Sequence, residues 1–127
     1  MNSFRGLEAW QKAMDLVDAI YDATRSFPQS ELYCLSSQMR KAAISIPSDI
    51  AEGRGRHTLP DYRHFLYEAR GGTQELETQI EIAIRQNFID TQRGSQLIAL
   101  VNEVGRLING LLRSLRPSST EHPARST

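Results

Sequence analysis

Thirteen arginines and two lysines supply the positive charge of this 127-residue chain, and 15 acids balance them. The balance is not local. Between Gln38 and Gly72 lie Arg40, Lys41, Arg54, Arg56, Arg63 and Arg70, with His57 and His64 alongside, against Asp49, Glu52, Asp61 and Glu68. From Arg93 to Arg116 there are four arginines and one acid, Glu103. Arg106, Arg113 and Arg116 stand at helical spacing there. The stretch from Glu68 to Asp90 reverses the sign, with five acids and two arginines. A guanidinium is a planar fork that matches phosphate and carboxylate oxygens alike. Two chemistries therefore fit. Arg40, Lys41, Arg54, Arg56, Arg63, Arg106, Arg113 and Arg116 could contact phosphates of RNA or DNA with little base readout. Alternatively, the basic stretches form solvated faces and pair with the acidic one across subunits.

Catalytic chemistry finds no comparable support. A di-iron site in a helical bundle needs paired Glu-x-x-His motifs; Asp61-Tyr62-Arg63-His64 is the nearest approach and occurs once. Cys34 has no second cysteine for zinc or for an internal disulfide. Gly53-Arg54-Gly55 lacks the spacing of a phosphate-binding loop and follows no strand. The expectation is no enzyme, no metal and no cofactor. Trp10, Tyr21, Tyr62 and Phe65 fall on apolar stripes, where packing is their use. Tyr33 and Tyr67 fall off those stripes and are candidates for an interface.

These residues must be positioned by helices, because no segment shows strand alternation. The first helix is expected over Gly6–Ser26, with Leu7, Trp10, Met14, Val17, Tyr21 and Thr24 as its core stripe, widened by Ala13, Ile20 and Phe27. Phe27-Pro28 ends it. Ser30 is the expected cap of the second helix, whose stripe is Leu32, Leu35, Met39, Ala42, Ile46 and Ile50. Pro47 should kink that helix, with Ser45 or Ser48 hydroxyls serving the backbone nearby. Gly53 and Gly55 are the expected exit. Thr58 should cap the third helix, with Pro60 in its first turn. Its stripe is Tyr62, Phe65, Ala69, Gly72 or Thr73, Leu76, Ile80 and Ala83. Gly71-Gly72 inside it calls for close approach of another helix. Asp90 should cap the fourth helix, carrying Leu97, Val101, Val104, Ile108, Leu111 and Leu115. The reading is an all-α, antiparallel up-down four-helix bundle over residues 1–116, helix 2 kinked at Pro47, with a disordered polar tail over 117–127.

Particular residues say more than periodicity. Leu7-Glu8-Ala9-Trp10-Gln11-Lys12-Ala13-Met14 is followed by Ile20-Tyr21 and Phe27-Pro28. Gln38-Met39-Arg40-Lys41-Ala42-Ala43-Ile44-Ser45 continues as Ile46-Pro47-Ser48-Asp49-Ile50-Ala51-Glu52-Gly53. Phe65-Leu66, Ala69 and Glu75-Leu76-Glu77-Thr78-Gln79 complete the set. These blocks, spanning about residues 4 to 115, resemble the four-helix-bundle family of 23S rRNA intervening-sequence proteins. The accessory variability protein (Avd) of diversity-generating retroelements is similar. Asp49 stands where that pattern has Asn, and Gly72 where it has Ser. The resemblance implies a bacterial homo-oligomer, a pentameric ring with a central channel. For retroelement members it also implies binding to a reverse transcriptase and to nucleic acid. Tyr33, Pro47, Tyr67, Gly71 and Gly72 are the expected oligomer-interface residues.

The N-terminal segment has no apolar run for a signal peptide, and no run approaches the length of a membrane span. A cytoplasmic protein is expected.

Overall fold

Residues 3–115 are described by a computed structural model, and among them four α-helices follow one another with no strand. They are α1 Glu8–Thr24, α2 Leu35–Arg54, α3 Leu59–Arg85 and α4 Thr91–Ser114, with 3-10 turns at Phe4–Gly6 and Gln29–Glu31. Arg116 and the 117–127 segment lie outside the described residues.

Two of the expected caps form. The Thr58 hydroxyl accepts from the Asp61 N–H at 3.2 Å, and the Asp90 carboxylate from the Arg93 N–H at 2.7 Å. Each satisfies a donor that the first turn of its helix leaves unpaired. Ser30 caps nothing. It sits in the second 3-10 turn, and α2 starts at Leu35, whose N–H bonds the Glu31 carboxylate at 3.3 Å. Leu32 is therefore left off the core stripe, and Tyr33 is 92% exposed. Between α3 and α4, Asn87 adopts φ 62°, the left-handed region. The Phe88 N–H bonds the Ala83 carbonyl and the Asn87 N–H the Ile84 carbonyl, both at 3.0 Å, which is the Schellman closure of a helix.

α2 runs through Pro47 without interruption. Proline removes one donor from the ladder. On either side, the Ser45 hydroxyl donates to the Ala42 carbonyl at 2.7 Å and the Ser48 hydroxyl to the Ile44 carbonyl at 2.8 Å. Gly53 is not an exit glycine. It is buried within α2, where a β-carbon would lie 2.8 Å from the Phe65 β-carbon and 3.1 Å from the Tyr62 ring.

The helices form a ring of contacts, α1–α2–α3–α4–α1, and the diagonal pairs stay apart. Neighbours run in opposite directions. Arg63 bonds Leu112 while Arg70 bonds Asn109; Lys12 pairs with Glu103 while Asp22 pairs with Arg93. Gly53 meets Tyr62 and Phe65, whereas Gly72 meets Ile46 and Ser45. The core between them is led by Leu16, Ile20, Met39, Ile46, Ile50, Leu66, Leu76, Ile80, Leu97, Val101, Val104 and Ile108, all essentially inaccessible.

α1 corrects its expected stripe. Its buried face is Ala9, Ala13, Leu16, Ile20, Ala23 and Thr24, about one residue's rotation from the one expected. Trp10, Val17 and Tyr21 are half-buried, and Met14 is exposed. A helix that touches two neighbours needs a wide apolar stripe, and periodicity does not say which residue lies at its centre. Ala9, Ala13, Leu16, Ile20 and Ala23 take the middle, and Trp10, Met14 and Val17 lie toward α2. In α3, Leu66 is fully buried and Phe65 only partly, and in α4 Leu112 is more buried than Leu111.

Candidate nucleic-acid interface

α3 and α4 bring four of the sequence's arginines to one groove. Arg63 and Arg70 are seven residues apart on α3, and Arg106 and Arg113 are seven apart on α4. At 1.5 Å per residue each pair spans about 10 Å along its axis. A cavity of about 280 Å³ is lined by Arg63, Tyr67, Arg70, Asn109, Leu112 and Arg113. A second, of about 290 Å³, continues from it through the shared Arg70 and Asn109 to Asn102, Arg106, Gln74 and Glu77. The two make one polar trough along the helix pair.

The two α3 guanidiniums are held by neutral acceptors. Arg63 donates to the Leu112 carbonyl at 3.0 Å and to the Tyr67 hydroxyl oxygen at 3.1 Å. Arg70 donates to Asn109 Oδ1 at 3.1 Å. Both lie over the Tyr67 ring, 5.6 and 4.8 Å from its centroid. Among the described residues no carboxylate comes within ion-pair distance of Arg63, Arg70, Arg106 or Arg113. The fold orients the charge of Arg63 and Arg70 and leaves it without a carboxylate among the described residues, the condition an anion site requires.

The other expected basic residues have different surroundings. Arg40 sits at the opposite end of the bundle, half-buried, donating to the Thr24 hydroxyl at 2.9 Å and lying 4.8 Å from the Tyr21 ring centroid. Arg56 pairs with Glu52 at 2.6 Å and covers Phe65. Arg54 lies over Tyr62 with its Nε buried and unbonded. Lys41 is exposed on α2. Arg70, which belongs to the basic stretch but not to the expected contact residues, joins the trough, and its seven-residue offset from Arg63 is the sequence signal that points to it.

The expected interface residues also scatter. Tyr33 is on the α1–α2 connection and Tyr67 in the trough. Gly71 faces open space. Gly72 is used inside the subunit, where an added β-carbon would lie 3.0 Å from Ile46 Cγ1 and 3.2 Å from Ser45 Oγ. Pro47 is buried but borders an apolar groove on the α1–α2 face, with Trp10, Met14, Val17, Ile44, Ser48 and Ala51. Met14 and Ile44, on adjacent helices, are 40% and 43% exposed there.

Asp49 and Tyr62 show shifted protonation. Burial pushes the Asp49 carboxyl up, and the neighbouring Glu68 and Glu52 carboxylates add to it against an opposing pull from His64. Burial also raises the Tyr62 phenol, opposed by Arg54. Among the described residues no three His, Cys, Asp or Glu side chains gather as a metal site would need, and no helix is long and apolar enough to cross a membrane.

The architecture is that of a small helical bundle with a basic trough between its last two helices. The family profile for the 23S rRNA-intervening sequence protein matches residues 5–110, and the chain belongs to that family. No curated protein matches it. A crystal structure of a protein with unknown function from the S23 ribosomal protein family of Bacteroides thetaiotaomicron VPI-5482 superposes with a TM-score of 0.75 at 18% identity. The match covers 83% of this chain and 98% of that one, and at such identity it speaks for the fold alone.

Proposed function

We propose that the protein is a non-enzymatic, homo-oligomeric scaffold that binds the backbone of RNA or DNA in the α3–α4 trough. The observation that carries this reading is the set of four arginines along one trough, two of them held by neutral acceptors and none with a carboxylate partner among the described residues. Repetition in an assembly would multiply the phosphate contacts, and each contact releases counterions. The apolar α1–α2 groove supports the self-association part, with a second copy of the chain covering it. The pentameric ring, a reverse transcriptase partner and a role like that of Avd in a retroelement belong to this proposal as the finer reading that the sequence resemblance suggests.

The test is binding of a structured RNA and of duplex DNA over a salt series, with particle mass fixed by light scattering. Wild type should bind with an affinity that falls steeply with salt. Charge reversal at Arg106 and Arg113 should cut affinity at least tenfold and flatten the salt slope while the mass stays the same. A protein that binds nothing at low salt rejects the reading. Loss of the oligomer in the charge-reversed variant would instead favour a protein-interaction module, with these arginines serving subunit contacts.

A further inference from the structure

The α3–α4 trough changes chemistry along its length. At one end it is lined by Arg63, Arg70 and Arg113 around Tyr67. At the other, Thr73, Gln74, Glu77 and Asn102 join Arg106. Gly105 leaves the lining there without a side chain, and the Thr73 hydroxyl donates its proton to the Arg70 carbonyl at 2.6 Å. Glu77 is half-buried, and among the described residues no basic side chain comes within ion-pair distance of it. A carboxylate in the path of a phosphate chain repels it. The same group accepts hydrogen bonds through two oxygens and donates none, so it suits a base edge that presents donors.

The bases differ in what they offer such a group. Guanine carries its N1–H and its N2 amine side by side on the pairing edge, one donor for each carboxylate oxygen. Adenine and cytosine set one amine beside a ring-nitrogen acceptor, and uracil sets one N–H between two carbonyls. In a duplex, base edges lie at the floor of grooves about 7.5 to 8.5 Å deep. Glu77 lines a trough between two helices, so a recessed carboxylate meets a base only when the base leaves its pair and comes to it. Arg70 and Glu77, seven residues apart, stand about 10 Å apart along α3, comparable to the reach from a phosphate to the far edge of its own base.

We infer that Glu77 is a specificity-determining residue that selects an unpaired guanine, its carboxylate accepting from N1–H and the N2 amine while Arg70 and Arg106 hold the adjoining phosphates. The inference rests on the nucleic-acid reading above and adds one base contact to it.

The experiment measures binding of the full-length protein to three oligouridylates of equal length, carrying at the centre one guanosine, one inosine or a further uridine. Inosine keeps N1–H and lacks the N2 amine. The guanosine strand should bind at least about fivefold more tightly than the other two. Glu77→Gln, with helicity unchanged by circular dichroism, should bring the three strands within about twofold of one another. The same variant should bind plain oligouridylate as well as wild type does or better, because a repulsion is removed; a merely structural role would weaken all three strands. Pairing the guanosine within a duplex should erase its advantage over inosine. A guanosine preference that is missing from the wild type, survives Glu77→Gln or persists in the duplex would overturn the inference and leave the backbone reading standing. If no strand binds even at low salt, both fall together.

Discussion

Asn87 shows how much one backbone angle can carry. It holds φ 62° at the end of α3, and two hydrogen bonds close the helix around it. Asparagine tolerates this region better than residues without a short polar side chain. Asn87→Ala should lower stability by about 1 kcal/mol, and Asn87→Gly should be neutral or slightly stabilising; urea unfolding separates the two. Asp49 makes the opposite kind of contribution. Its carboxyl is raised above the ordinary value of 3.8, first by burial and then by Glu68 and Glu52. The native state thus holds this proton more tightly than the unfolded chain. The stability it contributes falls as pH rises from 3.8 through the raised native value, leaving a penalty at neutral pH. Asp49→Asn should stabilise the protein at pH 7 by up to about 0.5 kcal/mol. That gain should vanish below the ordinary carboxylate range, as paired melts at pH 7 and pH 3 would show.

At the scale of the helix, three glycines of similar appearance have three different uses. Gly53 lets α3 approach α2, and Gly53→Ala forces a β-carbon against the Phe65 and Tyr62 positions. The expected loss is about 1–3 kcal/mol, the ordinary range for overpacking. Gly71 faces open space one residue before Gly72, so Gly71→Ala should gain up to about 1 kcal/mol through helix propensity. Thermal melts of the two variants should move in opposite directions. Gly72 sits against Ile46 and Ser45 on the same α2 turn that precedes Pro47. The Ser45 and Ser48 hydroxyls each bond a backbone carbonyl there. Within the Ser45–Gly53 segment, Ser45, Ile46 and Gly53 thus shape the α2–α3 seam, while Pro47, Ser48 and Ala51 border the groove on the α1 side.

For the whole molecule, the two sides of the bundle differ in kind. The α3–α4 side is a polar trough of arginines with no carboxylate partner among the described residues, and the α1–α2 side is an apolar groove with Met14 and Ile44 accessible. If the second side joins subunits, Ile44→Glu combined with Met14→Glu should reduce the particle mass in light scattering while circular dichroism keeps its helical signal. An unchanged mass would place the subunit contact elsewhere. Such a variant should also bind RNA more weakly, because fewer troughs act together.

Four helices, their approximate ends, the Thr58 and Asp90 caps and most of the α2 and α4 stripes were legible in the chain, because capping and 3.6-residue periodicity are local properties. The sign of the charge in each segment was legible for the same reason. Three features were not. The rotation of α1 depends on which neighbours it touches, and the face of Ala9, Ala13, Leu16 and Ile20 and the face of Trp10, Met14, Val17 and Tyr21 both satisfy the period. The start of α2 depended on a 3-10 turn that displaced Ser30. The basic site depended most on tertiary structure: Arg63 and Arg113 are 50 positions apart in the chain, and antiparallel packing of α3 on α4 brings them to one trough while leaving Arg40 at the opposite end of the bundle. Sequence sets which residues carry charge and which turns can form; only packing decides which charges meet and which are already partnered.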